Sequence, residues 1–254
     1  MSLTPADVEA FVVRGFVRLE EAFPRELAAT CRDLLWEQLE VSEDPATWTG
    51  PSIRLGPQTA EPFHEAAHTE RLRSAFDQLV GSGRWIAGDG LGGTIVVRFP
   101  VEEDPVDAGW HIDGSFPKDN SWWVNVRSEG RSLLMLFLFS DVGDDDAPTR
   151  ILVGSHLDVP TALALAGDEG MDFAEVTARL PNLGARRLVR ATGRAGDVYL
   201  CHPFLVHAGD RHRGSTPRFL AQPPLFWREP LDLDAPADPD SPVETAIRIA
   251  LGLI

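Results

Sequence analysis

The short run Gly109–Trp110–His111–Ile112–Asp113–Gly114 places an imidazole and a carboxylate two residues apart. In a strand, residues i and i+2 project from the same face. His111 and Asp113 could therefore stand side by side as ligands for a metal ion while Ile112 turns into the core. The tripeptide alone is weak. With 7 histidines and 22 aspartates in 254 residues, chance supplies about 0.6 His-x-Asp matches. The chain also holds a rival of the same form, His156–Leu157–Asp158.

Two ligands hold a metal loosely, so a third has to come from elsewhere. The candidates lie in the run AGDVYLCHPFLVHAG (195–209). His202 and His207 are five apart, so one continuous strand would point them to opposite faces, and only one of them joins a site. His207 follows the apolar Phe204–Leu205–Val206, as expected of a side chain inside a barrel. Two imidazoles and one carboxylate on one octahedral face is the arrangement of non-haem Fe(II) oxygenases, and it leaves three positions open. A 2-oxo dicarboxylate such as 2-oxoglutarate could take two of them, and its far carboxylate would then call for an arginine fork. Arg218 stands eleven residues past His207, and Arg213 stands eleven past His202. Arg213 lies in the polar turn Arg211–Ser215, where a charge is readily solvated. Arg218 opens the apolar run RFLAQPPLF, where an arginine is costly unless paired, and this favours Arg218. The separation of 95 residues between His111 and His207 leaves room for intervening strands, against 50 for His156. His156 follows the bend Val153–Gly154–Ser155 and suits a structural role.

The elements that must position these residues follow from patterning. Thr4–Pro5–Ala6–Asp7 opens a helix, Gly15 ends it, and Phe16–Leu19 alternates as a strand. Residues 24–39 have helical apolar spacing, 42–63 read as a long loop, and Thr69–Val80 is a second capped helix. From about residue 92 short strands follow: Thr94–Phe99, Leu133–Phe139, Arg186–Arg190, Val198–His202 and Arg218–Phe226. A helix is inserted over Met171–Leu180. Ser241–Glu244 caps a last helix to about Leu251. The expectation is one domain: a mostly helical part at 1–90, a β core at 91–230 as a sandwich or barrel, and a C-terminal helix at 241–252.

Composition sets outer bounds. Hydrophobic residues make up 43% and charged residues 24%, ordinary for a soluble globular protein. A net charge of −16 argues against a general grip on nucleic acid or on an anionic membrane surface. Cys31 and Cys201 read as reduced core residues. Neither a signal peptide nor a run long enough to span a bilayer is visible, so the expected location is the cytoplasm. Lys118 is the only lysine against 22 arginines, a skew that hints at a high-GC bacterium.

Taken together, WHIDG, VGSH, AGDVYLCHPFLVHAG and Arg218, with the early FVVRGFV (11–17), resemble the phytanoyl-CoA dioxygenase-like branch of the Fe(II)/2-oxoglutarate oxygenases. The likeness runs from about residue 4 to 228. It implies a double-stranded β-helix (jelly roll, cupin-like) core with flanking helices. It also implies His111, Asp113 and His207 as iron ligands and Arg218 as the 2-oxoglutarate anchor. The activity implied uses Fe(II), 2-oxoglutarate and O2 to hydroxylate a C–H bond of a small metabolite or natural-product intermediate, releasing succinate and CO2. Family members often carry a serine two residues past the distal histidine, and this chain has Gly209. Thr149 and Ser215 are the candidate replacement hydroxyls. Halogenating relatives have a small residue where Asp113 stands, so its carboxylate favours hydroxylation, or a related desaturation or ring-forming oxidation.

Plainer roles compete for the remaining candidates. Trp110, Phe116, Trp122 and Trp123 suit a core plug or a barrel mouth, with Trp122 and Trp123 the candidates for lining a substrate pocket. Arg54 and Lys118 could guide an anionic substrate or simply be solvated. His64, His68 and His212 read as solvated, His202 as a buried, hydrogen-bonded imidazole, and Asp144–Asp146 as a solvated turn. Two other readings of the whole chain are a non-catalytic jelly-roll binding or regulatory protein, and a cupin-like enzyme using another metal.

Overall fold

The computed structural model describes residues 2–180, 183–238 and 241–254. The chain begins with α1 (Pro5–Arg14), β1 (Phe16–Leu19), α2 (Arg25–Trp36), β2 (Ser52–Leu55), α3 (Glu61–Ala67) and α4 (Glu70–Val80). The β-rich part follows: β3 (Trp85–Ile86), β4 (Thr94–Arg98), β5 (Phe116–Lys118), β6 (Ser121–Val124), β7 (Leu133–Leu138) and β8 (Thr149–Leu152). Next come α5 (Val159–Ala164), β9 (Met171–Asp172), α6 (Phe173–Arg179), β10 (Leu188–Ala191), β11 (Val198–Cys201), β12 (His207–Ala208), β13 (Arg218–Gln222), β14 (Pro224–Trp227) and α7 (Pro242–Leu251).

Local chemistry sets the first elements. The Thr4 hydroxyl accepts from the Asp7 N–H, and the Asp7 carboxylate accepts from the Thr4 N–H, a reciprocal cap. Gly15, at φ 85°, ends α1 in the left-handed region that glycine enters without strain. The chain then enters β1, which pairs antiparallel with β11, Phe16 opposite Cys201.

The major sheet runs β1-β11-β7-β13-β4-β2, with β14 paired to β7 and β3. A smaller sheet, β10-β8-β12, faces it, and β5-β6-β9 forms a third. Together the two facing sheets make the jelly roll, antiparallel in every registered pair. Two apolar layers result. Leu134, Leu136, Leu138, Ile151, Tyr199 and Leu220 fill the space between the sheets. Phe137, Phe139 and Phe219 belong to the other layer, packed on the helices through Phe23, Trp36 and Phe63. Strand β7 therefore meets apolar partners on both faces, and all six of its residues are buried, which is why it reads as an unbroken apolar run. Each fully buried leucine or phenylalanine there contributes about 2–3 kcal/mol.

The structure departs from the sequence expectations in several places. The span 42–63 is not all loop, since it holds β2 and the start of α3. Its polar composition hides a strand whose partner, β4, is forty residues away. The apolar run 218–226 is two strands, because Pro223 has no N–H to give the ladder. The mostly helical N-terminal part lends β1, expected from its alternation, and β2, not expected, to the major sheet. Among the described residues no helix is long and apolar enough to cross a membrane.

Candidate metal centre

Sheet register places the polar groups inside the barrel. Partners in an antiparallel ladder share a face, so Leu220 opposite Leu138 fixes the inward side of β13. By alternation Arg218 and Gln222 also point inward. Across the β13–β4 ladder, Arg218 faces Arg98 and Leu220 faces Val96, and Val96 faces Arg54 of β2. On the opposite wall His207 pairs with Ile151.

His111 joins β12 through one isolated bridge. Its N–H donates to the His207 carbonyl at 3.0 Å, and the His207 N–H donates to the His111 carbonyl at 2.9 Å. The two imidazoles thus stand on one face, ring centres 4.5 Å apart. Asp113, two residues on, joins them, while Ile112 is fully buried on the other side. One ligand atom from each of His111, Asp113 and His207 lies within 4.8 Å of the others.

Each imidazole is held by its neighbour in the chain. His111 Nδ1 lies 2.8 Å from the Gly109 carbonyl, and His207 Nδ1 lies 3.0 Å from that of Leu205. A carbonyl only accepts, so both Nδ1 atoms carry the proton and both Nε2 atoms present a lone pair. His207 Nε2 is buried with no hydrogen-bond partner among the described residues, and it faces Asp113 Oδ1 at 3.7 Å. Burial lowers the pKa of His207 despite the nearby carboxylate, which keeps the ring neutral. An uncapped, neutral lone pair aimed at a carboxylate oxygen fits a divalent cation, and nitrogen and oxygen donors of this set suit Fe(II).

Sequence reasoning missed Arg131. Its Nη1 donates to Asp113 Oδ2 at 2.6 Å and its Nη2 to the Gly114 carbonyl at 3.1 Å. Burial would raise the Asp113 carboxyl, but Arg131, with His207 and His111, outweighs it and holds the pKa down to about 2. With Oδ2 engaged, Oδ1 is the oxygen left for a metal. Arg131 stands two residues before the apolar run of β7. The cost of an unpaired charge at an apolar strand, the argument that singled out Arg218, applies to it equally. It applies to Arg98 as well, at the end of TIVVR.

Beside the metal centre lies a cavity of about 520 Å³, whose lining includes His111, Asp113, Arg131, Arg54, Trp122 and Phe173. Trp122 packs directly on Gly114, where an added Cβ would come within 2.4 Å of the Trp122 Cβ. Trp123 alternates to the other face, under the Lys118 ammonium at 4.3 Å. Arg54 reaches the cavity while pairing with Asp107 at 3.1 Å.

The 2-oxoglutarate candidates divide in the same way. Arg218 is 2% exposed, and its Nη1 donates to the Ala147 carbonyl. Burial and the adjacent Arg98 disfavour its charge, with Asp107 opposing them. Thr149 is buried on the inward face of β8. Ser215 is exposed and lines a separate hollow beside Arg25 and Trp36. Arg213 is exposed and pairs with Asp210. His212, expected to be solvated, is buried instead. It bridges Asp146 and hydrogen-bonds the Thr216 carbonyl at 2.8 Å, a partner the local sequence does not announce.

Residues 14–220 match the family described as phytanoyl-CoA dioxygenase (PhyH). No curated protein matches the sequence. Among solved structures, the fold is similar to the epimerase SnoN in complex with Fe3+, alpha ketoglutarate and nogalamycin RO, with TM-score 0.62, 18% identity, and coverage of 92% of this chain and 91% of that one. It is similar to the carbocyclase SnoK from nogalamycin biosynthesis, with TM-score 0.61, 18% identity, and coverage of 89% and 84%. HygX from Streptomyces hygroscopicus with nickel, 2-oxoglutarate and hygromycin B bound gives TM-score 0.54, 19% identity, and coverage of 89% and 87%. Likeness at these identities speaks to the fold.

Proposed function

The chain belongs to the phytanoyl-CoA dioxygenase family, and from that membership we propose that it hydroxylates a C–H bond of a small metabolite or natural-product intermediate. The coarser statement holds for the family: the protein is an iron- and 2-oxoglutarate-dependent enzyme that uses O2. The observation that carries the assignment of the site is the buried, uncapped Nε2 of His207 facing Asp113 Oδ1, with His111 beside them.

In this reading His111, Asp113 and His207 hold the iron, and Arg218 receives the far carboxylate of 2-oxoglutarate. Iron, when bound, would supply the O2 chemistry for C–H oxidation, one oxygen atom going to the substrate and the other to succinate as 2-oxoglutarate is decarboxylated with loss of CO2. The chain supplies geometry. The Gly109 and Leu205 carbonyls fix both imidazole tautomers, and Arg131 holds Asp113 to one free oxygen. Arg150 ties the two ligand segments together by donating to the carbonyls of Gly209 and Ala108. Trp122, Phe173 and Phe226 line the cavity while remaining partly exposed, and they would exclude water from a bound substrate. The cavity suits a small molecule. SnoN bound to nogalamycin RO and HygX bound to hygromycin B are relatives by fold that hold small molecules.

The test is anaerobic purification, Fe(II) loading and a screen of metabolite pools for hydroxylated products with matching succinate. Succinate should form with the wild type and not with His111→Ala. If the wild type binds neither iron nor 2-oxoglutarate, the reading is wrong.

A further inference from the structure

The interior holds more positive charge than its own residues balance. Arg98 and Arg218 are register partners on adjacent strands, 3% and 2% exposed. Among the described residues Asp107 is the only carboxylate paired with either, and both its oxygens lie 2.6 Å from a single atom, Arg98 Nη2. One of those oxygens is shared with Arg54. Arg98 Nε, Arg98 Nη1 and Arg218 Nε are buried with no hydrogen-bond partner among the described residues. Buried donors left without a hydrogen-bond partner are rare in folded proteins, and leaving them unmet is costly. His212, close by, supplies no charge: its Nε2 faces the Thr216 carbonyl and its Nδ1 accepts from the Gly214 N–H.

The cluster also adjoins the metal centre. The Gly209 N–H, two residues past His207, donates to the Asp107 carbonyl at 2.8 Å. A Cβ on Gly209 would come within 2.3 Å of Asp107 Oδ1 and 2.6 Å of Arg98 Nη2. The Arg98–Asp107 pair therefore fills the space that a side chain at 209 would take, and only glycine lets it approach so closely.

We propose that Arg98 and Arg218 together form a two-guanidinium seat for the far carboxylate of a dicarboxylate cosubstrate, Asp107 holding Arg98 by Nη2 and leaving Arg98 a free donor for that anion. The inference rests on the proposed 2-oxoglutarate dependence and adds a second arginine to it. A carboxylate has enough lone pairs for donors from both forks. One bound anion would meet a free donor from each arginine and offset the excess charge at once.

Calorimetric titration of the full chain loaded with Ni(II) tests this, using 2-oxoglutarate and 2-oxobutyrate, which keeps the 2-oxo acid head and lacks the far carboxylate. Arg98→Gln is expected to weaken 2-oxoglutarate binding about tenfold to a hundredfold and to leave 2-oxobutyrate unchanged. Arg98→Lys, which keeps the charge and the interior salt bridge, should fall between the two. It serves as the deciding variant if thermal melts show Arg98→Gln unfolded. If 2-oxoglutarate affinity is unmoved in the folded Arg98 variants but falls in Arg218→Gln, the seat is wrong and the proposed function stands. No 2-oxoglutarate binding by the metal-loaded wild type would overturn both.

Discussion

Two pairs of histidines sit inside this protein at nearly the same separation, and only one of them looks like a place for a metal. The rings of His111 and His207 are 4.5 Å apart, and those of His156 and His202 are 4.8 Å apart. Each pair includes the histidine of a His-x-Asp tripeptide. In the first, both Nδ1 atoms are tied to nearby carbonyls, and the Nε2 side converges on Asp113. In the second, His202 spends both nitrogens, on the Val243 carbonyl and the Phe204 N–H. His156 Nε2 bonds the Val12 carbonyl, and its Nδ1 is unmet but lies against Gly15. Asp158 turns away to Arg186. An unmet lone pair is thus common to both pairs. What separates them is convergence of three donors on one point, which the extended chain at 111–113 provides and the tight turn at 155–157 does not.

The sharpest way to break the contrast is to remove one ring from each pair. His207→Ala should abolish metal retention and succinate formation, whereas His202→Ala should keep the metal; metal content after anaerobic Fe(II) loading reads both. The second variant loses stability instead, by about 3 kcal/mol in urea, because it leaves a cavity and strands the buried Phe204 N–H.

Acid should act on the structural pair. Burial, against the Val12 hydrogen bond, lowers the pKa of His156 to about 4, while the unfolded value is about 6.5. The folded protein prefers the neutral ring, so unfolding takes up a proton between these values. Stability from this group is full above about pH 6.5 and drains as pH falls toward 4, by at most about 3 kcal/mol. Urea midpoints across that range should drop in the wild type and drop less in a folded His156→Gln protein. A midpoint flat with pH in the wild type would rule this out.

Smaller effects separate the two carboxylates. Arg131→Met should weaken metal binding about tenfold, since groups that orient a ligand typically contribute that much. Arg131→Lys should recover part of it, as measured by competition with a metal chelator. Asp158→Asn should leave metal affinity unchanged and cost at most about 1 kcal/mol, its partner Arg186 being partly exposed.

Much of this was readable beforehand where physics is local. The cap at Thr4, the break at Gly15 and the apolar run of β7 follow from neighbours in the chain. The placement of Arg218 followed from the cost of an arginine at an apolar strand. The same cost falls on Arg98, at the end of β4, and on Arg131, two residues before β7. The strand at 52–55, the burial of His212 and the divergence of Trp122 from Trp123 depend on partners tens of residues away or on which face a short strand presents.

The sequence by itself determined the inventory: which residues can bind a metal, which charges must find a partner, and which segments must be buried. It also carried the family, through the order and spacing of its motifs. Tertiary structure decided the company each residue keeps. Only the bridge between His111 and His207 brings donors 96 positions apart onto one face, and only the β4–β13 register sets Arg98 opposite Arg218. Ligand geometry and charge balance depend on distances of a few ångströms, and the fold sets those through contacts that sequence spacing does not encode.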